Sequence, residues 1–158
     1  PLLSIFQSIL KIVERFPDVS LVYPVHPNPN VRKPAHAILG EHARIFLLEP
    51  QDYFDFVDLM RRATLILTDS GGIQEEAPAL GKPVLVLRET TERPEAVAAG
   101  VSRVIGTNAH AIETAVSDLL EDSSAYQKMA GSHQSPYGDG LAANRIVNIL
   151  YQSATNVI

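Results

Sequence analysis

The chain has 158 residues, 46% hydrophobic and 20% charged, with 18 acidic against 13 basic side chains and no cysteine. That apolar fraction excludes disorder, and the missing cysteines exclude disulfide scaffolds, thiolate zinc sites, iron–sulfur clusters and thiol catalysis. A formal net charge of −5 opposes a nucleic-acid groove, and no apolar run nears the ~18 residues of a membrane span. With no signal-peptide layout either, the expectation is one soluble, cytoplasmic α/β domain over residues 1–158. Leu2, Phe6, Ile9, Val13 and Phe16 form a helical stripe at the start, with no strand ahead of it. Strand-like runs follow at Leu21–Val25, Arg44–Leu48, Thr64–Thr68, Pro83–Leu87 and Ser102–Ile105. Most are continuously apolar, as strands covered on both faces are. Helical spacing lies between them, at Tyr53, Phe56, Val57 and Met60 and at Ile112, Ala115, Val116, Leu119 and Leu120. Residues 122–140 read as polar and turn-rich, and a last amphipathic helix runs from about Leu141 to Tyr151.

Strand–helix alternation predicts a doubly wound parallel, Rossmann-like sheet, because parallel neighbours need crossover connections. A domain of this kind normally opens with a strand, so the chain reads as beginning one element late. In the strand order 3-2-1-4-5-6 the missing first strand leaves Leu21–Val25 and Thr64–Thr68 flanking a vacancy.

The sharpest local signal is Thr68-Asp69-Ser70-Gly71-Gly72-Ile73-Gln74-Glu75-Glu76-Ala77-Pro78. A strand, a tight glycine turn and a helix N-terminus present unpaired N–H groups and a positive dipole end to a phosphate. Ser70 adds a hydroxyl, and Glu76 is an acceptor suited to two ribose hydroxyls. An ordinary helix capped by Asp69 or Ser70, with glutamates complementing the dipole, explains the same residues. The pattern is neither a Walker loop nor a dinucleotide fingerprint. After the next strand, Arg88 and Arg93 sit where a phosphate clamp is plausible, or pair with Glu89, Glu92 or Glu95. His26 either binds an anion or hydrogen-bonds a backbone carbonyl. Asp52 reads as an N-cap, Gln51 as a possible reader of a base edge, and Phe56 as core on pattern. His36, His42, His110 and His133 lack metal-ligand spacing, so no metal site is expected.

Together these loops resemble the non-hydrolysing UDP-N-acetylglucosamine 2-epimerases. The resemblance rests on Tyr23 to Val31, Leu65 to Pro78, Gly81 to Arg88, Thr91 to Ala96 and Pro136 to Gly140, in the family's order. It covers nearly all of this chain but only the C-terminal half of the family's. It implies half of a GT-B enzyme, whose active site lies between two Rossmann-like domains. In that family Ser70, Gly71 and Gly72 would hold the UDP diphosphate, Glu76 the ribose and Arg93 the nucleotide-sugar. Gln51 and Phe56 fall at the uracil end, partly through backbone groups. His26 matches a histidine that helps bind a second, allosteric UDP-GlcNAc. The implied reaction interconverts UDP-GlcNAc and UDP-ManNAc by elimination and re-addition of UDP, with no metal or nicotinamide cofactor. Full-length members are expected to be homodimers, serving polysaccharide synthesis.

The family's acid–base carboxylates lie on its N-terminal domain, so no catalytic residue is expected here, and this segment alone is expected to be inactive. The family's His-Arg-Arg-Glu-Asn motif is likewise absent, and His133-Gln134-Ser135 stands where an Asn usually precedes the Pro-Tyr-Gly-Asp-Gly run. The final helix, about 141–152, is expected to pack toward the other domain. A GT-B glycosyltransferase half, a nucleotide-sugar binding module without chemistry, and a hydrolysing relative remain the alternatives.

Overall fold

The computed structural model describes residues 2–131 and 136–155. Helix α1 (Leu2–Arg15) puts Phe6, Ile9 and Val13 into a core with Val25, Ala35, Leu39 and Ile45. Its Ile12 enters a second core with Leu85, Ile112, Ala115, Val116 and Leu119. Strands β1 (Leu21–Pro24) and β2 (Ile45–Leu48) pair in parallel, with α2 (Pro29–Leu39) as the crossover. Arg44, expected inside that second strand, lies just before it. Its guanidinium donates to the Phe16 and Val19 carbonyls at 2.7 and 2.6 Å, and to the Val13 carbonyl, covering the end of α1.

Helix α3 (Tyr53–Arg62) leads to β3 (Ile66–Thr68), which pairs in parallel with β4 (Val84–Val86), and β4 with β5 (Ser102–Val104). Helices α4 (Gly71–Ala79) and α5 (Pro94–Ala98) are the two crossovers. Met60, Ala77, Val84 and Val86 form a third core on that side. Helix α6 (Ala109–Glu121) returns to the opposite face and packs on α1.

All the expected strands form, each trimmed at its ends, but not as one sheet. The order is β2-β1 in one sheet and β3-β4-β5 in another, with the break between β1 and β3. That is where the sequence puts a vacancy. Val22 and Phe46, partners across β1 and β2, remain 45% and 49% exposed on the uncovered face of the smaller sheet.

The turn-rich reading of residues 122–140 needs correction, because Ser123–Ala130 forms helix α7. Asp122 caps it through the Ser124 and Ala125 N–H groups, and Ala125 and Met129 pack on the second core. Two apolar contacts one turn apart suffice to dock a short helix that looks polar by composition. The His133-Gln134-Ser135 departure lies outside the described residues. Helix α8 (Ala142–Thr155) buries none of its described side chains, and Ile146, Val147, Ile149 and Leu150 are all more than half exposed.

Candidate functional site at the carboxyl ends of the strands

The N-terminus of α4, like that of the short α5 that begins on Arg93, has no side-chain cap. Helices α2, α3, α6 and α7 each begin on a side chain that accepts from a first-turn N–H: Asn28, Asp52, Asn108 and Asp122. Helix α4 begins at Ser70, whose side chain makes no such bond, and no acidic residue lies in its first turn. The ordinary capped helix is therefore not what forms. The first-turn N–H groups of Gly71, Gly72 and Ile73 are left to an outside acceptor.

Neither Gly71 nor Gly72 has a positive φ, which corrects the expected tight glycine turn: both are helical residues. What glycine supplies here is room. A Cβ on Gly71 would lie 3.6 Å from the Arg93 Nη2, and one on Gly72 would lie 3.9 Å from the Ser70 Oγ. The Arg93 guanidinium and the Ser70 hydroxyl thus flank the same bare helix end. Arg93 is held by a Glu75 carboxylate bonded to its Nε, and its Nη1 donates to the Glu92 carbonyl at 3.1 Å. Arg88 instead approaches Glu92, at 3.9 Å. Of the two arginines the sequence proposes, only Arg93 is shown at the helix end.

Glu76, one turn into α4, faces the N-terminus of α3. Its carboxylate and its hydrogen bond hold the Tyr53 phenol above the usual tyrosine range. Gln51, just before α3, turns its amide Nε2 back onto the Glu49 carbonyl at 2.7 Å. The Asp52 N-cap is as expected, accepting from the Asp55 N–H at 3.0 Å. Phe56 packs against the third core, in line with its sequence pattern. Past β1, the exposed His26 accepts from the Asn28 N–H through Nδ1 at 3.1 Å, so its backbone partner is a donor and not the carbonyl expected. Burial, and then the nearby Asp69 carboxylate, raise the pKa of Tyr23. The ends of β1 and β3 therefore adjoin, and the loops after β1, β2, β3 and β4 crowd one edge.

This arrangement can bind an anion at a helix dipole beside a guanidinium, with a carboxylate one turn away for hydroxyl groups. Among the described residues no group of three or more His, Cys, Asp or Glu could hold a metal ion.

A family model described as UDP-N-acetylglucosamine 2-epimerase matches residues 1–151. The chain belongs to the UDP-N-acetylglucosamine 2-epimerase family. It is 54% identical over 147 residues to the epimerase of Escherichia coli K12, spanning 93% of this chain and 39% of that relative. It superimposes with a TM-score of 0.92 on S. aureus MnaA in a co-structure with UDP, at 48% identity, covering 100% of this chain and 43% of that one. The Neisseria meningitidis UDP-GlcNAc 2-epimerase bound to UDP-GlcNAc gives 0.90 at 49% identity, covering 96% and 40%. The chain thus spans about two-fifths of the length of these epimerases.

In this epimerase-family chain, sequence reasoning missed three side chains. Tyr53 lies near enough to Glu76 for the carboxylate to raise its pKa, but its period-3.6 position marks it only as helix. Tyr137 lies near Glu95, Glu75 and Arg93, with burial the main cause of its raised pKa. Gln74 is 1% exposed, and a polar residue in the register of a buried helix face was the one available signal.

Proposed function

We propose that this chain is the UDP-binding part of an enzyme interconverting UDP-GlcNAc and UDP-ManNAc by elimination and re-addition of UDP. The observation that carries it is the uncapped N-terminus of α4 flanked by Ser70 and Arg93, with Glu76 one turn on. The diphosphate would accept from the Gly71, Gly72 and Ile73 N–H groups and the Ser70 hydroxyl, with Arg93 as counter-ion. The ribose hydroxyls would take Glu76 from Tyr53. Gln51 and the backbone near Phe56 would meet the uracil. As the C–O bond to UDP breaks, negative charge grows on the leaving diphosphate, where these fixed donors stabilise it most.

The proton transfers at C2 need groups on both sides of the sugar, and these would come from the remaining three-fifths of the family's length. In the same reading α8 packs toward that part, and His26 contacts a second UDP-GlcNAc. The whole protein would be a cytoplasmic homodimer supplying an activated sugar for polysaccharide synthesis, with no metal or nicotinamide. The epimerase names of the relatives favour this reading over a glycosyltransferase half.

Calorimetry with UDP and with uridine tests the site. UDP should bind weakly, since half a cleft leaves water competing for the diphosphate, and uridine more weakly still. Incubation with UDP-GlcNAc, followed by NMR, should show no UDP-ManNAc from the 158 residues alone. A protein of the family's full length carrying them should produce it. Release of free N-acetylmannosamine would point to the hydrolysing relatives instead.

A further inference from the structure

We infer that Gln74 and Thr91 form a partly buried brace that positions Arg93 at the N-terminus of α4. A continuous hydrogen-bonded path runs between the two halves of the anion site. Gln74 Nε2 donates to the Ser70 carbonyl at 3.2 Å, the residue on which α4 begins. The Thr91 hydroxyl donates to the Gln74 Oε1 at 2.5 Å. That hydroxyl in turn accepts from the Arg93 N–H at 3.0 Å. On the other side, the Ser70 N–H donates to the Thr68 Oγ1 at 3.0 Å, tying the same residue to the end of β3.

Chemistry fixes the direction of this path. The Gln74 amide has one donor side and one acceptor side, and each meets its complement: a carbonyl at Ser70 and a hydroxyl hydrogen at Thr91. The Gln74 side chain is 1% exposed, so losing either partner leaves a buried polar atom unpaired. An unbraced loop residue of Arg93's length would sample many rotamers, and ordering it on binding would weaken the complex. Glu75 holds the guanidinium tip, while the brace holds the backbone from which it projects. Gln74 and Thr91 are positioning residues, acting on the ligand through Arg93 and Ser70. Their effect on ligand affinity rests on the UDP-site reading above, whereas their effect on Arg93 does not.

Two variants separate the brace from simple packing. Thr91→Val keeps the shape and loses the hydroxyl, and Thr91→Ser restores it. In the 158-residue chain, the Arg93 backbone amide should resist hydrogen exchange in the parent and in Thr91→Ser. It should exchange at least ~10-fold faster in Thr91→Val and Gln74→Met. Unchanged protection in both of the latter overturns the brace, whether or not UDP binds. For the ligand, calorimetry with UDP should show a ~10-fold loss for Thr91→Val, recovered by Thr91→Ser. In an Arg93→Ala background the same Thr91→Val change should cost less than ~2-fold, because the residue it positions is gone. An equal loss in both backgrounds would assign Thr91 a general structural role and overturn the inference. No UDP binding by the parent, with the Arg93 amide still protected only when the hydroxyl is present, would sink the UDP reading and leave the brace intact.

Discussion

Gly72 separates two reasons for a glycine, its own conformation and the space beside it. It is exposed, lies in the first turn of α4 without a positive φ, and a Cβ there meets nothing closer than 3.9 Å. Gly72→Ala should therefore raise stability by about 0.5 kcal/mol by removing unfolded-state freedom. The same methyl occupies the approach to the bare N–H groups, so UDP affinity should fall by about tenfold or more. Thermal denaturation and calorimetry on one preparation read the two effects. A variant that binds UDP as the parent does would put the nucleotide elsewhere.

At the scale of elements, α1 and α6 illustrate which contacts hold the domain. Lys11 and Glu113 pair at 3.3 Å, and Arg15 reaches Glu121 at 2.8 Å and the Ser117 hydroxyl at 3.1 Å. These ion pairs lie at the surface, where such bridges contribute little. Beneath them Ile112 is fully buried against Ile12, Leu85 and Leu119. Ile112→Ala should cost about 2–5 kcal/mol in urea unfolding, from lost burial and the cavity left behind. Lys11→Ala should change stability by less than ~0.5 kcal/mol. Comparable losses for the two would mean that the helix pair is held by charge.

For the whole molecule, the break between β1 and β3 sets where the domain is least protected. In parallel pairs, alternate residues point their backbone groups at the neighbour. The Leu21 N–H donates to the Arg44 carbonyl and the Ile66 N–H to the Pro83 carbonyl, both away from the break. Val22 and Leu67 therefore direct theirs toward it. Their amides should exchange faster than those of Leu21 and Ile66 in a native-state hydrogen-exchange experiment. Equal protection would mean that the edges are paired. Helix α8 is the other extreme, with every described side chain exposed. Deleting residues 141–158 should move the Tm by less than ~3 °C, because none of its described side chains is buried. A large drop would show that α8 supports the body of the domain.

The strands and the helix faces were legible in the sequence because burial on both sides of a parallel sheet forces continuous apolar runs, and a one-sided helix forces a 3.6-residue stripe. Val84–Val86 and the Ile112 to Leu119 face follow directly from that patterning, whereas Leu21–Pro24 carries the apolar run with Val22 left exposed. The Ser70-Gly71-Gly72 and Arg93 loops stood out for another reason: their runs of residue types, in order, resemble those of the epimerase family. Helix α7 was not legible, because Ala125 and Met129 gain their meaning only from the core that happens to lie beneath them. Nor were the brace from Ser70 through Gln74 and Thr91 to Arg93, or the approach of Tyr53 to Glu76. Those partners lie on different elements, 17 residues apart for Gln74 and Thr91. A hydrogen bond between distant residues leaves no periodicity in the chain. The fold alone decides it, by bringing one donor to one acceptor.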